Sequence, residues 1–433
     1  ITDLAGNATT GNASGTTLAV DQTAPTVSSI DTTTPDGSYN EPDPIVVRVN
    51  FSENVALLGG TLDATLDTTD VVAIAAFGPA ATASGTYTIG AGDTSADLTV
   101  TLLALNAATL RDAAGNDADL SLPAGNNLAD NAAIVVDTTA PAAFTAGAVT
   151  TTGGTVVAGY WNSTNAGVSV TIPIDNDSSL LGGSVQLQGS RDGSTWENLS
   201  AATAIAAVNT TIDLADSLLG VEGLAGFAEG DALSFRAVIT DLAGNATTGN
   251  ASGTTLLVDQ SAPTMNPVAI VSDNADTSRA KIQDTVTLTF TSSESLIGLP
   301  TVTITSLARD ATEASLGGNA YQAAYQLLPG DRTIAEAAIV FTIDYTDAAG
   351  NAGAQVAATT DASAVTFYRE LNWGGSAGGD WHTAGDWLEG YVPEAADDVV
   401  IASGYPALLA DGFGEDVVVA AGAELHTGAF DLT

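Results

Sequence analysis

The sequence predicts an all-β fold: small antiparallel β-sandwiches in tandem, followed by a separate small β module. Three observations predict it. Apolar residues alternate with polar ones over short runs, the period of a half-buried strand, and no long helical period competes. Turns rich in Gly, Asp and Asn separate the runs, and these residues either reach left-handed backbone or hydrogen-bond their own chain. Whole blocks also recur, since Ile1–Leu18, ITDLAGNATTGNASGTTL, returns unchanged at Ile239–Leu256. Self-similarity of this kind marks a repeat architecture.

The repeats set the boundaries. Both copies run on into near-identical linkers, VDQTAPT from Val20 and VDQSAPT from Val258, and Asp112-Ala-Ala-Gly-Asn116 precedes Val136-Asp-Thr-Thr-Ala-Pro141 in the same order. A further copy, Asp347-Ala-Ala-Gly-Asn351, lacks the proline linker after it. The expected division is a terminal hairpin of a truncated or strand-exchanged domain at 1–22, complete domains at 23–138, 139–260 and 261–369, and a Trp/Gly-rich β module at 370–433. Each complete domain has an ordinary size for a sandwich.

Strand patterns agree with that division. In the first complete domain Ile45, Val47, Val49 and Phe51 share a face. The second has Val168, Val170, Ile172 and Ile174, then Phe235, Ala237 and Ile239. In the third, Val286, Leu288 and Phe290 oppose Thr285, Thr287 and Thr289. Many short strands with frequent turns predict antiparallel β-sandwiches in tandem. In the tail, Trp373, Trp381 and Trp387 cluster in Gly-rich sequence ahead of a strand at 398–401. Such a cluster either forms the core of the small module or offers a sugar-binding face, and the core is the commoner use.

Composition excludes several functions. Against 51 acidic residues stand only 9 Lys and Arg, for a net charge of -42. Nucleic acid is not an expected partner, because binding it requires clustered Lys and Arg that displace counterions. Anionic membrane surfaces are disfavoured for the same reason. The chain has no cysteine, which removes disulfides and thiolate metal sites together. Lys281 is the single lysine, so a Lys-to-Asn isopeptide staple is open to one domain at most. No stretch reaches the roughly 20 apolar residues of a membrane span, and no signal peptide is visible. Catalysis has little support: His382 and His426 are the only imidazoles and no nucleophile motif accompanies them. The chain is therefore not expected to be an enzyme. Sequons at Asn7, Asn50, Asn162 and Asn245 would permit glycosylation in a suitable organism.

The recurrent D-x-A-G-N motif makes a sound turn, with Asp bonding backbone ahead of it and Gly supplying positive φ. Its oxygen-rich chemistry also suits calcium, which takes six to eight oxygen ligands. Carboxylates recur at domain ends, where Asp21, Asp137 and Asp259 stand just before the Ala-Pro linkers. Candidate calcium ligands are these three with the turn residues Asp112, Asn116, Asp241 and Asp347. Asp36, Asp43 and Glu53 in the first domain, and Asp273, Asp276 and Glu294 in the third, complete the set. Which turn meets which linker is not fixed by sequence.

The ordered combination TAPTVSSIDTTTPDGSYNEPDPIVVRVNFSENV, TYTIGAGDTSADLTV, DAAGND and VDTTAP resembles the bacterial Ig-like repeats of large secreted adhesins and surface-layer-like proteins. SDNADTSRAKIQDTVTLTFTSSE with FTIDYTDAAGNAG is similar to another repeat type of such proteins. The segment from Leu371, with W-x-x-A-G-D-W, V-P and D-D-V-V-I, resembles the opening of β-solenoid surface modules. The resemblance implies export to the cell surface and a spacer or adhesive role, frequently with calcium stiffening. The expected function is an extracellular structural element, a rod, filament or surface-layer component that self-associates into a filament or lattice. Its rivals are an adhesin that binds a cell-surface glycan or another cell, and the non-catalytic spacer of a polysaccharide-active enzyme.

Overall fold

A computed structural model describes residues 4–6, 20–333, 335–375, 379–394, 397–403 and 417–421. Most of the expected hairpin at 1–22, the sequon at Asn7, His426 and much of the tail lie outside these residues. The fold is all-β, and the α-helices among the described residues are single turns, Leu128–Asn131 and Leu218–Glu222. None is long and apolar enough to cross a membrane. Two compact units divide the chain: Ile1–Val149 with Ser169–Asp216 and Ser234–Gly253, and Thr150–Val168 with Ser217–Leu233 and Thr254–Thr433. The division runs through the stretch 139–260.

In the first unit, a sandwich forms around Ile30, Ile45, Val47, Val49, Leu57, Leu62, Leu98, Ile134 and Val136, each no more than 2 % exposed. The alternation of Ile45, Val47, Val49 and Phe51 places all four inward. One sheet pairs Val27–Asp31 and Val71–Thr88 with the long strand Pro44–Leu66, antiparallel on both sides. The far half of that long strand also pairs with Val100–Arg111. The opposing sheet sets Gly37–Tyr39 parallel to Ile134–Asp137, with Thr94–Ser95 antiparallel to it. In the same unit, Ser184–Ser190 pairs with residues Ser234 to Thr240 and buries Val185, Leu187, Phe235, Ala237 and Ile239.

The second unit holds the antiparallel order Met265–Ser272, Thr285–Ser292, Ala320–Gln326, Thr312–Gly317. Val286, Leu288 and Phe290 point into a core shared with Val302, Ile304, Phe341, Ile343 and Phe367. Thr301–Ile304 pairs with Phe341–Asp344 in a facing sheet. Leu256–Val258 runs parallel to Tyr160–Trp161, where Trp161 is fully buried. Beyond Tyr368 the ladders change to parallel: Glu370–Asn372 beside Asp398–Ile401, and that strand beside Val417–Val419. Trp373, Trp381 and Trp387 are at most 4 % exposed and stack edge-to-face with Trp387 central, at centroid distances of 5.1 and 4.9 Å. They are the core of the tail module, and no indole face is open to a sugar.

Candidate metal centres

The three D-x-A-G-N copies that lie wholly among the described residues fold into the same closed turn. Asp112 Oδ1 accepts from the Gly115 and Asn116 amides at 2.7 and 2.8 Å, and Oδ2 accepts from Asn116 Nδ2 at 2.7 Å. Asp241 repeats this with Gly244 and Asn245 at 2.8 and 2.9 Å, and Asp347 with Asn351 at 2.8 Å. The glycine is required, since Gly115, Gly244 and Gly350 have φ of 94°, 105° and 98°.

The asparagine then reaches a linker. Asn116 Nδ2 donates to the carbonyls of Asp21 and Thr23 at 3.4 and 3.2 Å. Asn245 Nδ2 donates to the Asp137 carbonyl and Asn351 Nδ2 to the Asp259 carbonyl, both at 2.8 Å. Each of these three turns therefore clasps the linker that precedes its own sandwich, across sequence separations of 95, 108 and 92 residues. Asn351 is the most enclosed of the three, 1 % exposed, with its Oδ1 accepting from Ser163 N and Oγ at 2.9 and 2.6 Å.

At two clasps the linker carboxylate and the turn carboxylate meet a glutamate. Asp21, Glu53 and Asp112 form one group and Asp259, Glu294 and Asp347 another, each with one oxygen per residue within 4.8 Å of the others. A serine delivers each glutamate. Ser52 exchanges two hydrogen bonds with Thr26, at 2.9 and 3.0 Å, and Glu53 follows it. Ser293 does the same with Thr264, at 2.8 and 3.0 Å, ahead of Glu294. The middle clasp lacks this third arm. The Leu242 amide binds the Ser179 carbonyl at 3.0 Å as the Ala348 amide binds that of Ser295 at 3.2 Å, so Ser178 occupies the place of Glu294. There Asp137, Ser178, Ser179 and Leu242 line a cavity of about 250 Å³.

The charges in these groups repel. Burial, then Asp21 and Asp112, push the Glu53 carboxyl above its usual range. Burial, then Asp259, Asp347 and Glu229, do the same to Glu294. Asp259 is raised by burial, Asp347 and Glu229. Asp112 goes the other way, because the Asn116 amide outweighs burial. Asp347 is fully buried, yet the ion pairs among the described residues join other carboxylates. Three convergent carboxylates that meet no imidazole and no cationic side chain among the described residues fit a hard divalent cation that prefers oxygen.

The remaining candidates fall elsewhere. Asp36 accepts from the Ala133 amide at 3.0 Å, Asp43 from Asn40 at 3.2 Å, Asp273 from Thr285 at 2.7 Å and Asp276 from Ser278 at 3.1 Å. These are turn and loop fastenings outside both groups. Sequence reasoning missed Glu229, which accepts from the Gln260 amide at 2.9 Å beside Asp259. It lies in an irregular loop with no repeat to flag it. Of the sequons, Asn162 is fully buried with Nδ2 donating to the carbonyls of Thr155 and Ala349, both at 2.7 Å. Asn245 spends its amide on the clasp and Asn50 on Ser29 and Asp31. His382 Nδ1 lies 3.6 Å from Asp380 Oδ1, on the rim of the tail module.

The sequence matches no protein-family model and no curated protein. Solved structures similar to it include a marsupial T cell receptor, 14% identical over 46% of this chain and 95% of that one, with a TM-score of 0.17. Another is the complex of Dpr2 Ig1-Ig2 with DIP-Theta Ig1-Ig3, 8% identical over 78% of this chain and 99% of that one, with a TM-score of 0.19. Superposition this loose establishes no common whole, so the fold rests on the chain's own sheets and cores. Those define an all-β protein of tandem sandwiches whose linkers are clasped by acidic turns.

Proposed function

We propose that the chain is an extracellular structural element, a rod, filament or surface-layer component, in which calcium at two linker clasps restrains the joints between sandwiches. The observation that carries this reading is the repeated geometry: the same Asp-Asn turn closes on each linker, and twice it does so with three convergent carboxylates. The chemistry sits at joints, where restraint has a mechanical consequence, and not in a cleft able to orient a substrate. A cation there would offset the mutual repulsion of Asp259, Glu294 and Asp347 and hold linker, turn and strand together. Self-association into a filament or lattice belongs to the same proposal and is supported by the family resemblance of the repeats. The glycan-binding rival is not favoured, because the three tail tryptophans are core residues.

Calcium titration followed by calorimetry tests the metal. Binding to the folded state alone stabilises by about 2.7 kcal/mol at a hundredfold excess over Kd. For a sandwich of this size that corresponds to a rise on the order of 10 °C in the transition of 261–369. Glu294→Gln combined with Asp347→Asn should abolish the rise while leaving a cooperative melt. A wild-type transition indifferent to both EDTA and calcium would remove the cation from the proposal.

A further inference from the structure

The chain has only 9 cationic side chains, and three of them gather where the tail module follows residues 261–369. Arg279 lies over the Tyr368 ring, 3.9 Å from its centroid, and Arg369 pairs with the fully buried Asp397 at 3.0 Å. The third is Lys281, the single lysine. Its ammonium donates to Glu370 Oε1 at 3.0 Å and to Glu389 Oε1 at 3.4 Å. Asn372 shares both acceptors: Nδ2 donates to Glu389 Oε1 at 2.9 Å and to Glu370 Oε1 at 3.3 Å. The Asn372 backbone amide also donates to Glu389 Oε2 at 2.8 Å, which fixes the carboxylate against the strand Glu370–Asn372. The lysine side chain is 20% exposed and that of Glu389 only 4%. A primary amine, a carboxamide and an enclosed carboxylate that touches both nitrogens are the components of amide exchange.

We propose that Lys281 and Asn372 become joined by an intramolecular isopeptide bond, with Glu389 as the proton relay. Glu389 Oε1 takes a proton from the ammonium, and the freed Nζ attacks Asn372 Cγ. The Nζ–Cγ bond forms, the Cγ–Nδ2 bond breaks, and the relayed proton and the second proton that Nζ sheds after the attack both leave with the departing nitrogen. Lysine ammonium and asparagine amide thus give a secondary amide and an ammonium ion, so atoms and charge balance without oxidant, nucleotide or metal. Glu370 holds Nζ in place during the attack.

Burial lowers the lysine's affinity for its proton, but the bonds and charges of Glu370 and Glu389 outweigh it and hold the pKa above the ordinary value. The free amine is therefore a minor species and the reaction slow. Slowness is no obstacle to a bond that forms once, in a folded protein, with both nitrogens held on the same two carboxylates. The product would tie the turn that follows the strand Arg279–Ala280 to the first strand of the tail, so that load passes between them through a covalent link. Disulfides cannot supply one in a chain without cysteine.

Intact mass of the full chain, purified and then denatured, tests the proposal. The expected mass is lower than the sequence mass by one ammonia, and trypsin should yield one branched peptide that joins the segments around Lys281 and Asn372. Glu389→Gln and Asn372→Ala should restore the full mass. Lys281→Arg, which keeps the charge and both ion pairs, should do so with an unchanged circular dichroism spectrum. A wild-type chain that retains the full sequence mass after prolonged incubation overturns the proposal. Loss of water in place of ammonia also overturns it, because the bond would then lie on a glutamate. Neither result depends on calcium, so this inference and the metal clasps stand or fall separately.

Discussion

Asn351 shows how much one side chain can decide. Its two amide hydrogens go to the Asp347 carboxylate and the Asp259 carbonyl, and its oxygen accepts twice from Ser163. An aspartate there would lose both donors and add a fourth negative charge. Glu294 is the titratable counterpart. Burial and the charges around it raise its pKa, so the folded state binds this proton more tightly than the unfolded chain does. Such a group favours folding below its unfolded pKa, and that contribution is lost as pH rises through the folded value. In EDTA, the transition of 261–369 is expected to fall as pH climbs from the usual glutamate value of about 4.3 through the raised one. Saturating calcium should reverse the trend by binding the ionised form, and Glu294→Gln should flatten the EDTA slope. Melts across that range check this, and a slope untouched by the substitution would assign the effect elsewhere.

At the scale of elements, local patterns transfer well from sequence to structure. Val286, Leu288 and Phe290 are buried as their alternation requires. A second repeated device went unread in the sequence. Asp93 accepts from the Gly90 amide and the Tyr87 hydroxyl at 2.7 and 2.6 Å, and Asp331 from the Leu328 amide and the Tyr325 hydroxyl, both at 2.8 Å. Asp231 caps the Ala228 amide at 2.9 Å, with Ala225 at the position the other two give to tyrosine. All three stand in Gly-Asp dipeptides, Gly92-Asp93, Gly230-Asp231 and Gly330-Asp331, a signal present in the sequence but easily lost among so many aspartates. The long strand Pro44–Leu66 also exceeds what alternation foretold, because a break at Gly59 and Gly60 interrupts the period. There the backbone passes so close to its partner that a Cβ on Gly60 would stand 1.9 Å from the Asn106 carbonyl oxygen. Gly60→Ala is expected to destabilise this sandwich by about 1–3 kcal/mol, the usual cost of overpacking. Gly78→Ala, where an added Cβ meets nothing within 4 Å, should be neutral. Denaturant melts of the two variants decide it.

At the scale of the whole molecule, the repeats are not equivalent. Three linkers are clasped, but only the clasps at Asp21 and Asp259 gather three carboxylates. The wild-type chain is therefore expected to bind two calcium ions at these clasps. Ser178→Glu should supply the missing arm beside Asp137 and Asp241 and raise the stoichiometry to three. Isothermal titration with the Glu294→Gln variant as a subtractive control would read the count. An unchanged count in Ser178→Glu would show that a glutamate at this position does not complete a third site.

The sequence by itself determined the strands, the turn chemistry and the acidic linkers, because each depends on contacts within a few residues: alternation across a pleat, an aspartate closing on amides three and four positions ahead, a glycine with positive φ. It named every member of both carboxylate groups but could not pair them. Only the tertiary structure decided that a turn closes on the linker about a hundred residues before it, since that pairing follows from how each sandwich shuts and in what register. The same closure set Ser178 where a glutamate was needed and buried the tail tryptophans against one another. It also brought Lys281 to the two carboxylates that hold Asn372. The clasps and the Lys281 contacts join residues far apart in sequence, and no local pattern encodes them.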